Sequence, residues 1–270
     1  MRTPLPYSPA QIADLQQLHA AFEAEIVLVG AGALMCFIDF AHRTTQDLDV
    51  VIAVEMADVA SRMSKLVGWH HDAHQEQRWW SARGLKYDIL PAGSAVLASG
   101  QIVWPASQSV MSSKGLALAL VHHEPTLLTG IFAATPPAVC VLKMIAFLER
   151  PHERGRDIGD IAAVARSWRR DDHSLFEEPF VSSGLPFDAG SAFLLGGAIG
   201  QLRTPDVAPS FDAFLQHLEQ EGSTGRTALF SELDPFDYEE AERKVGILLR
   251  ALRLGLSSSE VATQSKKAAT

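Results

Sequence analysis

The chain has 270 residues, 47% of them hydrophobic, and a formal net charge of −9. This length allows one large domain or two modest ones, with ample apolar material for a core. The acidic charge argues against tight non-specific binding to nucleic acid, which depends on many Lys and Arg contacts with phosphate. No signal peptide or membrane span is predicted. We therefore expect a cytoplasmic protein in which Cys36 and Cys140, both in apolar surroundings, are buried free thiols.

The first half of the chain alternates helical and strand patterns. After Ser8 and Pro9, apolar side chains recur at helical spacing, which predicts an N-terminal helix over 9–24. Further along the chain, strands are predicted at EIVLVG (25–30), DLDVVIAV (47–54), QRWWSAR (77–83), LKYDIL (85–90), GLALALVHH (115–123) and LLTGIFAA (127–134). Helices are predicted at AGALMCFIDF (31–40) and MADVASRMSKLVGW (56–69).

From Thr135 onwards the pattern is helical. Helices are predicted over 136–150, 156–168, 188–202, 210–220 and 237–255. The predicted fold class is therefore α/β (α+β), with a mixed sheet followed by a helical C-terminal region. The predicted domains are residues 1–135, residues 136–255 and a polar tail over 256–270.

Two aspartates open the second strand. Because side chains alternate along a strand, Asp47 and Asp49 share one face and Leu48 points to the other. Their Cα atoms lie about 6.5–7 Å apart, where two carboxylates repel by roughly 2–3 kcal/mol at an effective dielectric near 20. Taken alone, the pair also suits a solvated turn at the end of a loop.

A third strand-borne carboxylate, Asp88, favours a functional role for the pair. Three carboxylates suit a hard divalent cation such as Mg²⁺ or Mn²⁺, and a cation of this kind serves phosphoryl transfer. Upstream, the LVGAGAL segment forms a strand, a glycine turn and a helix start, whose backbone N–H groups could bind phosphate. A dinucleotide-binding turn competes for this segment, but its third glycine position holds Met35.

The helical half contains a second candidate group. On a helical wheel, Asp157 lies in the middle of an apolar stripe and Asp160 lies at its edge. A carboxylate that faces inward needs a partner, and Lys143 on the preceding helix can supply it. Lys143 would then neutralise nucleotide phosphate while Asp157 holds it. The alternatives are a helix N-terminal acid favoured by the dipole and a lysine on an exposed edge.

The ordered set of motifs resembles the nucleotidyltransferase superfamily related to DNA polymerase beta. The matching segments are LVGAGAL, HRTTQDLDVVIAV, KYDILPAG and VLKMIAFLERPHERGRDIGDI, within residues 25–165. The Arg-x-Thr-x-Asp-Leu-Asp form and the later lysine with Asp-x-x-Asp are similar to the AbiEii/AbiGii-type (MenT-like) toxin branch. The resemblance implies that residues 1–135 are the catalytic domain and that residues 136–255 complete the active-site cleft.

The resemblance implies transfer of NMP from an NTP such as ATP to an acceptor hydroxyl. The acceptor would be a tRNA 3′ end, with a basic antitoxin as partner. The implied catalytic residues are Asp47, Asp49, Asp88, Lys143 and Asp157, of which the first three would bind the metal. The implied nucleotide-binding residues are Gly30, Ala31, Gly32, Arg43, Thr45 and Lys143.

One position departs from the family pattern. The family usually carries Gly-Gly or Gly-Ser after the first strand, whereas this chain has Gly30-Ala31 and so lacks a serine hydroxyl for phosphate. Two alternatives therefore stay open. The chain could modify a small molecule, as antibiotic nucleotidyltransferases do, or it could be a degenerate protein of the same fold that binds nucleotide or a partner without catalysis.

Overall fold

The computed structural model describes residues 6–39, 47–168, 173–234 and 236–268, with side chains described as far as Ser259. It divides the chain into two compact units, Met1–Val139 and Cys140–Thr270. The division falls inside a helix that begins at Pro136, close to the place where the sequence predicts the start of the helical region.

The first unit is built around a mixed sheet. Its helices are α1 (Pro9–Phe22), α2 (Gly30–Leu34), α3 (Met56–Met63), α4 (Ser94–Ser99) and α5 (Leu116–Val121). Its strands are β1 (Ile26–Val29), β2 (Asp47–Ile52), β3 (His70–His71), β4 (Arg78–Trp80), β5 (Lys86–Pro91), β6 (Gln101–Val103), β7 (Val110–Ser112), β8 (His123–Pro125) and β9 (Ile131–Ala134).

Seven of these strands form one sheet in the order β3-β4-β5-β2-β1-β9-β8. The pairs β2–β5 and β1–β9 are parallel, and the other neighbours in the sheet are antiparallel. Strands β6 and β7 form a separate hairpin. The mixed sheet confirms the predicted α/β class.

The central strands are buried because their sequences are apolar. All four residues of β1 are buried. In β2, Leu48 and Val50 are buried, whereas Asp47 and Asp49 alternate with them and are only partly covered. The two free thiols, Cys36 and Cys140, are buried as predicted.

The second unit is helical. It comprises the rest of α6 (Pro136–Glu149), then α7 (Gly155–Ser167), α8 (Gly190–Gln201), α9 (Ala208–Glu219), α10 (Thr224–Leu233) and α11 (Tyr238–Ala268). Over residues 173–189, which precede α8, the structure shows three short 3₁₀ helices. Within the ranges that the structure describes, none of the helices combines the length and apolar character needed to cross a bilayer.

Several details of the prediction are wrong. Helices α2 and α3 end well before residues 40 and 69, and α4, α10, β6 and β7 were not predicted. The GLALALV run, predicted as a strand, forms α5 with Leu116, Leu118 and Ala119 buried. Leu and Ala are strong helix formers, and an evenly apolar run has no periodicity that separates the two structures. The predicted polar tail from residue 256 is wrong at its start, because α11 continues and buries Leu256 and Ser259.

Helices α8 and α11 meet through glycines. A Cβ at Gly196 of α8 would overlap the carbonyl oxygen of Leu252, and a Cβ at Gly255 of α11 would overlap the carbonyl oxygen of Phe193. The two backbones therefore touch directly, and only glycine allows this approach.

We expect Gly255→Ala to lower the free energy of unfolding by about 2–3 kcal/mol, because the two helices must separate to admit the methyl group. The matched control is Gly246→Ala, also in α11, where an added Cβ meets nothing within 4 Å. Helix propensity alone should make this control neutral or more stable by up to about 1 kcal/mol. Urea unfolding of both variants measures the difference, and equal effects would contradict the close helix contact.

Candidate active site

The pairing of β2 with β5 brings the three predicted carboxylates to one face of the sheet. Asp49 lies directly beside Asp88 across the parallel pair, and Asp47 lies beside Lys86. Neighbouring strands are about 4.8 Å apart, so these side chains emerge as close neighbours. The strand register therefore puts all three acids on one sheet face.

Arg78 joins two of these carboxylates. It lies on β4, directly opposite Asp88 in the antiparallel pair β4–β5. Its Nε donates to Asp88 Oδ1 at 2.8 Å and its Nη2 donates to Asp88 Oδ2 at 2.9 Å. The same Nη2 also donates to Asp47 Oδ2 at 3.1 Å. The guanidinium thus binds one carboxylate with two hydrogen bonds and a second carboxylate with one.

Sequence reasoning missed Arg78, although a signal for it exists. Only Gly84 separates the two strands predicted over 77–83 and 85–90, and the observed hairpin pairs Trp80 with Lys86 and Arg78 with Asp88. Extending that hairpin ladder from the turn would have placed Arg78 opposite the third acid, since residues opposite each other share a face.

Burial and charge act in opposite directions on Asp88. Its burial raises the pKa above the ordinary value, and the hydrogen bonds and charge of Arg78 lower it, with burial the stronger influence. In return, the hydrogen bonds that Arg78 donates to Asp88 raise the pKa of Arg78. The three carboxylates, the guanidinium of Arg78 and the ammonium of Lys86, which lies beside Asp47, sum to one formal negative charge among the residues of β2, β4 and β5 on this face.

Carboxylate oxygens are the ligands that Mg²⁺ and Mn²⁺ prefer, so the chemistry of Asp47, Asp49 and Asp88 fits the predicted cation. The arrangement of these carboxylates fits a metal ion less well than their chemistry does. Over residues 6–39, 47–168, 173–234 and 236–268, no three His, Cys, Asp or Glu side chains are gathered as a metal ion requires. Arg78 lies between Asp47 and Asp88 instead. The metal site therefore stays a prediction.

The glycine turn after β1 lies against Asp49. Gly30 has a φ of +62°, and a Cβ there would overlap Asp49 Oδ2. A Cβ at Gly32 would come within 2.9 Å of Leu48 Cδ2. Helix α2 begins at Gly30 without a side-chain cap. The glycine turn therefore packs directly against Leu48 and Asp49 at the start of β2.

The structure describes only some of the other residues predicted to bind nucleotide. Ala31 is buried in α2. Arg43 and Thr45 lie outside the described residues. Tyr7, which was not predicted, donates its hydroxyl to the carbonyl oxygen of Gly32 at 2.6 Å, and burial raises its pKa. No periodic pattern surrounds Tyr7 in the sequence, so this contact carried no signal.

A buried ion cluster lies within the second unit. Lys143 of α6 places its Nζ 2.7 Å from Asp157 Oδ1 and 2.7 Å from Asp160 Oδ2, both on α7. All three residues are buried. The predicted inward direction of Asp157 and its pairing with Lys143 are confirmed. Asp160, which the wheel placed at the edge of the apolar stripe, forms an ion pair with the same ammonium.

The lysine stays charged because of its two partners. Burial alone would lower the pKa of Lys143, but the charges and hydrogen bonds of Asp157 and Asp160 outweigh it and raise the pKa above the ordinary 10.5. The stabilisation from this pairing is therefore fully present below pH 10.5 and is lost as the pH rises through the raised value. Nearby, burial raises the pKa of the Cys140 thiol to about 12, which leaves it unreactive.

The comparisons with known proteins yield remote structural likenesses, among them two proteins of Helicobacter pylori. No family model and no curated protein matches the chain. The crystal structure of JHP933 from Helicobacter pylori is 13% identical with a TM-score of 0.39, over 97% of this chain and 99% of that one. A "putative nucleotidyltransferase" from H. pylori is 14% identical with a TM-score of 0.40, over 95% and 99%. Similarity at this level assigns neither family nor activity.

We expect Gly30→Ala to destabilise the first unit more than Gly84→Ala does. Both glycines have positive φ, at +62° and +73°, so both variants bear the same strain of about 1–2 kcal/mol. Only Gly30 lies against Asp49, because a Cβ at Gly84 meets nothing within 4 Å. The additional overlap should cost about 1–3 kcal/mol. Thermal unfolding compares the two, and equal losses would contradict the packing of Asp49 on the turn.

We expect Lys143→Met to lower the free energy of unfolding by about 3–5 kcal/mol near neutral pH, because two buried carboxylates lose their counterion. The matched control is Lys244→Met, since Lys244 also pairs with two carboxylates, Asp234 at 3.0 Å and Glu240 at 3.5 Å, but near the surface. That control should cost no more than about 1 kcal/mol. Urea unfolding measures both, and a small loss for Lys143→Met would rule out the buried cluster.

Proposed function

We propose that the protein is a metal-dependent nucleotidyltransferase that moves NMP from an NTP to an acceptor hydroxyl and releases pyrophosphate. The observation that supports it best is the meeting of Asp47, Asp49 and Asp88 on one sheet face. The glycine turn packed against Asp49 adds to it. The resemblance of the ordered motifs to the DNA polymerase beta superfamily supports the same reaction.

In this proposal Asp47 and Asp49 hold Mg²⁺ or Mn²⁺, which would neutralise charge on the triphosphate. Asp88 is the third ligand or the general base that takes the proton of the acceptor hydroxyl. Its raised pKa suits a base better than an ordinary aspartate does.

The phosphate groups would be held by the turn of Gly30, Ala31 and Gly32, by Arg43 and Thr45, and by Lys143. Asp157 would orient Lys143. Since Asp160 contacts the same ammonium at the same distance of 2.7 Å, we add Asp160 to this positioning role.

The finer proposal concerns the acceptor and the partner. From the resemblance to AbiEii/AbiGii-type (MenT-like) toxins, we propose a cytoplasmic toxin that modifies a tRNA 3′ end and is neutralised by an antitoxin. The formal net charge of −9 is compatible with a basic antitoxin. Two alternatives are a small-molecule nucleotidyltransferase and a non-catalytic nucleotide-binding protein, the second favoured by Ala31 in place of Gly or Ser.

The test is transfer of label from each α-³²P-NTP, with Mg²⁺, to total tRNA or to a panel of aminoglycosides and lincosamides. We expect label on tRNA, and a loss of about 10²–10³-fold in rate for Asp49→Asn, since metal charge stabilisation is worth several kcal/mol. Asp58→Asn, at an exposed acid of α3, should keep the wild-type rate.

The outcomes separate the alternatives. Label on a small molecule alone would replace the tRNA acceptor. Nucleotide binding without transfer to any acceptor would favour the non-catalytic alternative. Full activity in Asp49→Asn would overturn the assignment of the carboxylate site itself.

A further inference from the structure

We propose that Arg78 serves as an internal cation of the carboxylate site. When a divalent cation binds there, Arg78 breaks its hydrogen bond to Asp47 and retains its two hydrogen bonds to Asp88. The inference rests on the proposed function, because it assumes that Asp47 and Asp49 hold that cation. It makes Arg78 a positioning residue that sets the affinity for the metal.

The hydrogen bonds of Arg78 are unequal. Asp88 accepts two, at 2.8 and 2.9 Å, from a residue directly opposite it in the β4–β5 ladder. Asp47 accepts one, at 3.1 Å. A bidentate contact of guanidinium with carboxylate is stronger and more strictly oriented than a single bond. The Asp47 contact is therefore the one that can break.

The solvent exposure of these side chains also indicates that the contact of Arg78 with Asp47 is the one that can break. The side chain of Asp47 is 38% exposed, whereas those of Arg78 and Asp88 are 18% and 12% exposed. Water can replace Arg78 at Asp47 at little cost, as at surface ion pairs. Asp88 has no comparable access to water, so it would be left as a buried charge without its counterion if Arg78 moved away.

A divalent cation and the Arg78 bridge compete for the same carboxylate. Arg78 Nη2 bonds to Asp47 Oδ2, which is an oxygen of the first acid in the predicted metal set. A cation bound by Asp47 and Asp49 would lie beside the guanidinium of Arg78. The two positive charges would then repel each other. Metal binding therefore requires that Arg78 give up Asp47, while its two bonds to Asp88 hold it at the edge of the site.

Arg78 also balances charge among the carboxylates, because it donates hydrogen bonds to both Asp88 and Asp47. Without a cation, the guanidinium offsets the repulsion among the carboxylates and stabilises their present positions. With a cation, that compensation at Asp47 is no longer needed. Removing the guanidinium should thus favour the metal-bound state over the metal-free state.

The experiment measures binding of Mn²⁺ alone to the full chain by the EPR signal of free aqueous Mn²⁺, near pH 8. We expect Arg78→Gln to bind Mn²⁺ about two- to tenfold more tightly than wild type, because the competing ion pair and like charge are gone. Arg78→Lys, which cannot bridge both carboxylates with a planar fork, should bind about twofold more tightly.

The matched control is Arg62→Gln. Arg62 lies on α3 of the same unit and forms an ion pair at 2.8 Å with Glu23, the residue that follows α1. This control should bind Mn²⁺ as wild type does. Circular dichroism and thermal unfolding check that each variant is folded. If Arg78→Gln does not fold, Arg78→Lys decides, and unchanged or weaker Mn²⁺ binding in the folded variant overturns the inference.

Asp49→Asn separates this inference from the proposed function. If wild type binds no Mn²⁺, or if Asp49→Asn binds Mn²⁺ as wild type does, the metal site of the proposed function is wrong. The inference about Arg78 then fails with it. If Asp49 is required for Mn²⁺ binding and the Arg78 variants bind as wild type does, only the role of Arg78 is overturned.

Discussion

Asp49 and Asp88 lie side by side across the parallel strands β2 and β5, and this enforced proximity of like charges shapes the first unit. At roughly 5 Å and an effective dielectric near 20, two such carboxylates repel by about 3 kcal/mol. Arg78 is placed by the β4–β5 ladder where it can offset that repulsion. A sheet that only had to be stable could have used apolar residues at these positions, since buried ionic groups seldom improve on well-packed apolar ones.

The second unit meets the same constraint by another route. There a single ammonium, Lys143, lies between two buried carboxylates, Asp157 and Asp160. Asp157 Oδ1 accepts a hydrogen bond from Lys143, and Arg154 Nη1 lies 3.8 Å from Asp157 Oδ2. In both units, then, neighbouring carboxylates are held by a cation from an adjacent element, Arg78 of β4 in the first unit and Lys143 of α6 in the second.

Much of the fold follows from local patterns in the sequence. Alternation in DLDVVI placed Leu48 inward and the two aspartates on the other face, and the helical wheel placed Asp157 inward. Such local patterns could not predict contacts that depend on strand register or on segments far apart in the sequence. Arg78 reaches Asp88 only because β4 pairs with β5 in one register, and Tyr7 reaches Gly32 across 25 positions of sequence. The GLALALV run shows the other limit, since its even apolar character does not distinguish strand from helix.

The position of Ala31 bears on whether the missing hydroxyl matters. Its side chain is only 6% exposed, within a turn where Gly30 lies against Asp49 and Gly32 lies against Leu48. A side chain at position 31 therefore points into the protein, and a serine hydroxyl there would need a buried partner before it could serve a phosphate. Backbone N–H groups at the start of α2 do not depend on that hydroxyl. The substitution of alanine is thus weaker support for a non-catalytic protein than the sequence alone suggests, and the carboxylates of β2 and β5 become the deciding groups.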